Sequence, residues 1–244
     1  MEAQESTEIV RVSTWHLTKL FFVNPRRAFL ELAETPRFAL PFFLLLLGRV
    51  VQVHWYFSAV DIGWLKQQLI PTITQPNGQQ RALDLSMITR DTLDVSACLS
   101  VAVSSGLVVL GFTLYLYVMG KILQSKESEE SEHSFRQWLA FSSWSSLPQI
   151  LVLIPQYTAM GLIDLTHEDV NSLDPLSLNA LFFQLGPADP AYRLLSNLTL
   201  LIFVQLVFAA VGLQAWYKKS FSVSLAVAAA PALVLYGAWA LYVF

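Results

Sequence analysis

The sequence of 244 residues contains a single cysteine, Cys98, and only 14% charged residues. One cysteine cannot form an internal disulfide or a cysteine-based metal cluster. The charged fraction is well below the roughly 25% that is usual for a soluble domain. Hydrophobic residues make up 55% of the chain, and the mean hydropathy is +0.50. This composition excludes an ordinary soluble domain and indicates a membrane protein.

Signatures of catalysis are also missing. The sequence contains no Walker phosphate loop, no HExxH pair, no paired CxxC and no nucleophile elbow. Its four histidines stand far apart, at positions 16, 54, 133 and 167, which does not favour a metal site. We therefore expect a protein that is not an enzyme, uses no cofactor or metal and does not bind nucleic acid.

Five hydrophobic stretches are long enough to cross a bilayer. A bilayer core of about 30 Å needs about 20 mostly apolar residues in a helix. The composition therefore predicts an all-α polytopic membrane domain over residues 38–244. The five predicted transmembrane helices cover residues 38–60, 95–122, 135–163, 192–217 and 221–244.

Basic residues collect in alternate connections between these stretches. With a cytoplasmic amino terminus, ten of them lie inside and four outside, as the positive-inside rule predicts. An odd number of crossings then places the carboxyl terminus outside. The inner set is Arg11, Lys19, Arg26, Arg27, Arg37, Lys121, Lys126, Arg136, Lys218 and Lys219, and the outer set is Lys66, Arg81, Arg90 and Arg193.

The segment before the first span predicts helices at the membrane surface. Residues 1–12 are polar and acidic and are expected to be disordered, whereas residues 13–37 are expected to form cytoplasmic-side amphipathic helices. Asparagine followed by proline is a helix start signal, because asparagine accepts a free backbone N–H and proline has none to lose. The expected interfacial anchors are Trp15, Asn24, Pro25, Arg26 and Arg27.

Arg49 is a charge deep inside a predicted span. It stands about 11 residues into the first span, which is about 16 Å along a helix and near the bilayer midplane. Charges at this depth usually face other helices and mark a functional site. A structural role, in which Arg49 caps carbonyls of a neighbouring broken helix, fits equally well. Both interpretations remain open at this point.

The third predicted span supplies such a broken helix. Pro148-Gln149 and Pro155-Gln156 repeat at a spacing of seven, and each proline bends the helix and frees a carbonyl. Serines share nearly the same face, which we expect to point inward. A polar seam between helices is the first interpretation, and a substrate or ion path is the alternative. The candidate polar site consists of Arg49, Ser142, Ser145, Gln149, Gln156 and Gln205.

Two connections are acidic. The loop of residues 164–190 has no Lys or Arg, as an outer loop of a membrane protein often does. Cation binding by its acidic residues is the alternative interpretation. Residues 125–134, SKESEESEHS, form a polar hinge. A hinge of this kind is usually a solvated linker, and a docking patch for a basic partner is the alternative.

Several motifs resemble the Yip domain family of five-helix membrane proteins, whose founding members interact with Ypt/Rab GTPases. The resemblance extends over nearly the whole chain after residue 12. The residues that carry it are Asn24-Pro25, Ala28-Phe29 and Glu34-Thr35-Pro36 before the first span, Ser145-Ser146-Leu147-Pro148 in the third, and the closing hairpin from Trp216 to Pro231.

This resemblance implies a non-enzymatic membrane scaffold or accessory protein that assists a transport, export or trafficking system. Eukaryotic members usually carry a longer amino-terminal segment, so we expect a prokaryotic member and do not expect a Rab-type GTPase as a partner. The resemblance therefore implies the bacterial cytoplasmic membrane, with the ER or Golgi membrane as the alternative. The expected partners are membrane lipids and another membrane protein. The alternative is a small permease or lipid-handling protein that uses the polar intramembrane seam.

Overall fold

The computed structural model describes residues 13–69, 89–124 and 132–244, and the regular elements in these ranges are helices. One isolated β-bridge joins Ser177 and Thr199. The predicted all-α class is therefore confirmed for the described chain. The expected disorder of residues 1–12 and most of the acidic hinge lie outside the described residues.

Four described helices are long and apolar enough to cross a membrane. They are α3 (Ala39–Ala59), α5 (Arg90–Leu123), α9 (Leu200–Tyr217) and α10 (Phe221–Val243), and the short helix α4 (Ile62–Leu69) follows α3. The longest, α5, has 34 residues and a length of about 51 Å, so it exceeds a bilayer core of about 30 Å. It begins before the predicted residue 95 because Thr89 caps its first turn, accepting from the Thr92 N–H at 3.3 Å.

The third predicted span is a broken helix. It consists of α6 (Phe135–Ser145), a 3₁₀ turn (Leu147–Gln149) and α7 (Ile150–Leu162). The break coincides with Pro148, which has no N–H to continue the ladder of α6. The described part of the chain therefore does not contain five continuous membrane-spanning helices.

The fourth predicted span is also divided. Tyr192–Asn197 forms the separate short helix α8, and the long helix begins only at Leu200. Thr199 between them is extended and forms the β-bridge with Ser177, flanked by backbone hydrogen bonds of 2.7 and 2.9 Å. This long-range pairing replaces the continuous helix that the sequence predicts over 192–217.

Two helices precede α3, namely α1 (Thr14–Val23) and α2 (Pro25–Glu34). α2 begins where the sequence predicts, because the Asn24 side chain accepts from the Arg27 N–H at 3.2 Å and Pro25 occupies the first position. The pair lies within the bundle rather than apart from it. The Phe21 ring stacks on Phe208, near the middle of α9, with 4.7 Å between ring centroids.

An aromatic core fills the end of the bundle where α3 begins. The Trp216 indole donates to the Phe29 carbonyl at 2.8 Å and so fixes α2 to α9. Gly212 lets α2 and α6 approach α9 closely, since a Cβ there would lie 2.9 Å from the Phe29 ring and 2.5 Å from the Phe141 ring. The large buried residues of this core are Phe21, Phe29, Trp138, Phe141, Trp144 and Trp216.

The α9–α10 hairpin turns at Lys218, which is left-handed with φ of 51°. Ser224 and Ala228 are buried, so the face of α10 that carries these small residues points into the bundle. Pro231 cannot donate to the carbonyl of Val227. Instead, the Tyr115 hydroxyl of α5 donates to that carbonyl at 2.9 Å.

Residues 164–199, here called the cap segment, fold over the ends of α3 and α7. The cap segment contains short 3₁₀ turns, a five-residue π-helix (Asn179–Phe183) and α8. The Tyr56 hydroxyl donates to the Glu168 carbonyl at 2.9 Å. A second apolar cluster also joins the cap segment to α3 and α7 and consists of Tyr56, Val60, Met160, Leu165 and Leu173.

Candidate functional site

Arg49 of α3 lies against the broken helix. Its Nη1 atom donates to the Gln52 Oε1 atom at 3.2 Å and to the Gln156 Oε1 atom at 3.2 Å. Both glutamines are buried, with 7% and 3% of their surfaces exposed. The acceptors that hold Arg49 are thus side-chain oxygens, one on its own helix and one on α7.

A close approach of α3 and α7 makes this contact geometrically feasible. Gly48 precedes Arg49, and a Cβ at Gly48 would collide with the Leu153 Cδ1 atom. The Tyr157 hydroxyl donates to the Gly48 carbonyl at 2.6 Å. About two turns later along α3, the Trp55 and Tyr157 rings stack with centroids 5.8 Å apart. The helix pair is therefore held on both sides of Arg49.

Asp174 of the cap segment faces the same group. Burial raises the pKa of Asp174 above its ordinary value, and this effect exceeds the opposing effects of the Leu176 N–H, the Arg49 charge and the Gln156 side chain. The Leu176 N–H donates to the Asp174 Oδ1 atom at 2.9 Å. The Thr199 and Gln156 side chains also act to lower this pKa and so favour the Asp174 carboxylate.

Gln156 therefore interacts with a cation and with an anion. Its Oε1 atom accepts from Arg49, and its side chain favours the charged form of Asp174. We call Arg49, Gln52, Gln156 and Asp174 the polar bridge. A buried charge is tolerated when hydrogen bonds and an opposite charge compensate it. The polar bridge supplies both and joins α3, α7 and the cap segment.

The remaining polar candidates lie nearer the break in the third span. Ser142 and Ser145 are fully buried, and Gln149 is nearly so. Within the described ranges, the Ser142 and Ser145 hydroxyls have no hydrogen-bond partner. Gln205 of α9 donates through its amide to the Ser146 hydroxyl at 3.3 Å. The structure thus brings Arg49 and Gln156 together, and connects Gln205 to the break.

The predicted interfacial anchors surround the junction of α1 and α2. Trp15 is 68% exposed, and the Lys19 ammonium lies 5.3 Å from its ring centroid. Arg26 and Arg27 are exposed, and the Arg27 Nε atom is 3.2 Å from a Glu31 carboxylate oxygen. Asn24 and Pro25 form the junction itself, as described above.

Sequence reasoning missed two members of the polar bridge. Gln52 lies three residues after Arg49 on one helix face, so helical spacing could have identified it. Asp174 was visible only as one acid of an acidic loop. In the part of the chain that is described, no group of three His, Cys, Asp or Glu residues could hold a metal ion.

Comparison with known proteins identifies one family. The model of the Yip1 domain matches residues 19–242, a range that runs from within α1 to within α10. No curated protein and no solved structure matches the chain. The family match confirms the resemblance seen in the sequence motifs. With the four apolar helices, it identifies a multi-pass membrane protein. The chain therefore belongs to the Yip1 domain family.

Proposed function

We propose that the chain is a non-enzymatic membrane scaffold or accessory protein that assists a transport, export or trafficking system. Membership of a membrane family that is generally non-enzymatic supports this proposal. The observation that carries it is the polar bridge. Arg49, the charge deepest in α3, donates to two buried glutamines. A guanidinium held in this way joins helices and is not free to bind a passing substrate.

The proposed arrangement has five crossings, four made by the long helices and the fifth by α6 and α7 together. The distribution of basic residues supports an amino terminus inside and a carboxyl terminus outside. We place the protein in a bacterial cytoplasmic membrane, with the ER or Golgi membrane as the alternative. Its proposed partners are lipids and another membrane protein.

Impermeant thiol labelling in intact cells tests this orientation. Cys98→Ser removes the single cysteine, and one new cysteine is then introduced at an exposed position. Ala188→Cys lies in the cap segment and should be labelled from outside. Glu132→Cys precedes α6 and should be labelled only after the membrane is opened. The reverse pattern would contradict the orientation.

Recovery of a partner tests the function. The tagged chain is extracted in a mild detergent, and its mass is compared with that of the chain alone. We expect a membrane protein in a fixed stoichiometry with it, also after Arg49→Leu with Asp174→Asn, because these residues are proposed to act only within the fold. A well-folded solitary monomer would count against the scaffold.

A small permease or lipid-handling protein is the second candidate. The observation in its favour is the pair of buried hydroxyls of Ser142 and Ser145, which lack partners among the described residues beside a helix break. Transporters build binding sites at broken helices. Arg49→Leu and Ser145→Ala should then change a transport or lipid phenotype. An unchanged phenotype in well-folded variants would exclude this candidate.

A further inference from the structure

Helix α1 is apolar on two faces. One face packs into the bundle through Leu17 and Phe21, which are buried. The outward face carries Trp15, Phe22 and Val23, with 68%, 47% and 84% of their surfaces exposed. A helix that packs on a protein and faces water carries polar residues outward. The outward face of α1 therefore fits an apolar or interfacial environment.

The exposed charges within residues 13–30, which cover α1 and the first part of α2, have one sign. Lys19 and Arg26 are exposed, and Arg27 is exposed while it contacts Glu31. Residues 13–30 contain no Asp or Glu. Long basic side chains beside apolar residues can bury their stems and extend their charges to headgroups. The surface thus combines the exposed apolar residues Trp15, Phe22 and Val23 with the basic side chains of Lys19 and Arg26.

This surface is continuous with a face of a membrane helix. Phe22 contacts Phe208 of α9, with 6.4 Å between ring centroids. The neighbouring Val207 and Phe203 are exposed on α9, 43% and 47% respectively. In a membrane protein, exposed apolar residues on a spanning helix contact lipid. The outward face of α1 therefore adjoins lipid along the same side of the bundle.

From these observations we infer that the outward faces of α1 and α2 bind anionic phospholipid headgroups. The acyl chains contact Trp15, Phe22 and Val23, and the headgroup phosphate is held by Lys19 and Arg26. Basic residues near an anionic leaflet are attracted to it over a short range. This inference needs only a membrane location and holds whichever system the protein assists.

Lipid binding to the purified full-length chain tests the headgroup preference. Apparent affinities for short-chain phosphatidylglycerol and phosphatidylcholine are measured in a neutral detergent. The wild type should prefer phosphatidylglycerol, and Lys19→Gln with Arg26→Gln should weaken its binding by about fivefold or more. The matched control is Lys218→Gln with Lys219→Gln, which removes the same charge from the α9–α10 turn and should retain most of the binding.

Two results would overturn the inference. One is a wild type without preference between the two lipids, and the other is an equal loss in the two double variants. If the surface instead bound an acidic segment of a protein, Lys19→Gln with Arg26→Gln would release that protein while lipid binding stayed unchanged.

Spin labels report the environment of the outward face of α1 without depending on lipid affinity. In the Cys98→Ser background, Val23→Cys is labelled in a reconstituted bilayer, and Glu34→Cys at the exposed end of α2 is the control. The label at position 23 should collide with oxygen more than with a water-soluble nickel reagent, and the label at 34 should do the opposite. A nickel-accessible label at 23 would exclude a lipid-covered face.

Discussion

Removal of the Arg49 charge should destabilise the fold, and removal of the facing acid should restore part of the loss. Arg49→Leu eliminates two hydrogen bonds of 3.2 Å to buried glutamines. Hydrogen bonds to charged groups contribute about 1.5–3 kcal/mol each, and these are long, so the lower value applies. The expected cost is about 3 kcal/mol. The substitution also leaves the partly buried Asp174 without the positive charge of Arg49.

The pair is best examined as a double-mutant cycle. Asp174→Asn alone removes both the burial cost of the carboxylate and its attraction to Arg49, so its own effect on stability should be small. In the Arg49→Leu background the same change removes an uncompensated charge and should cost less, or stabilise the fold. Because the residues share Gln156, we expect a coupling of about 1 kcal/mol or more.

Equilibrium unfolding in mixed micelles, followed by tryptophan fluorescence and by circular dichroism, measures the four free energies. Coincident transitions are required before the values are compared. If the effects of the two substitutions add within about 0.5 kcal/mol, Arg49 and Asp174 do not interact, and the polar bridge as described is refuted.

Three further outcomes are expected. Gly212→Ala should lower the free energy of unfolding by about 1–3 kcal/mol, and with it the melting temperature, because its Cβ would meet the Phe141 ring. Gly111→Ala, whose Cβ would have nothing within 4 Å, should be neutral or stabilising. Equal melting temperatures of the two variants would contradict the packing. The raised pKa of Asp174 means that its protonated form favours the fold, so stability from this group is present below pH of about 4 and is lost as pH rises through the folded pKa. Asp174→Asn should remove that slope, and an unchanged slope in pH-dependent unfolding would exclude Asp174 as its source. Arg90→Gln removes three hydrogen bonds to carbonyls at the end of α3, so amide exchange there should quicken while α10 stays unchanged; equal exchange in the two proteins would contradict this role.

Local signals in the sequence predicted the features that depend on near neighbours. Asn24 and Pro25 specify the start of α2 through hydrogen bonding within one turn. Pro148 indicates the break in the third span, because its missing N–H interrupts the hydrogen-bond ladder there, whereas Pro155 lies inside the continuous helix α7. The helical spacing of Gln149 and Gln156 indicated a face with unusual polarity, and both residues are buried.

Features that depend on distant parts of the chain could not be predicted in this way. The late start of α9 results from the pairing of Thr199 with Ser177. The approach of Asp174 to Arg49 joins residues that are far apart in sequence. Likewise, the apolar character of α1 predicted a surface helix, whereas its contact with Phe208 shows that half of it is core. Periodicity identifies an apolar face but does not specify what covers it.

The polar bridge joins the cap segment to α3 and α7. Hydrogen–deuterium exchange in wild type and Gln156→Leu measures this connection, because Gln156 accepts from Arg49 and interacts electrostatically with Asp174. Loss of about 1.5 kcal/mol predicts exchange about tenfold faster at residues 170–178, with α10 unchanged. Unchanged exchange in the cap segment of a folded Gln156→Leu protein would contradict the claim.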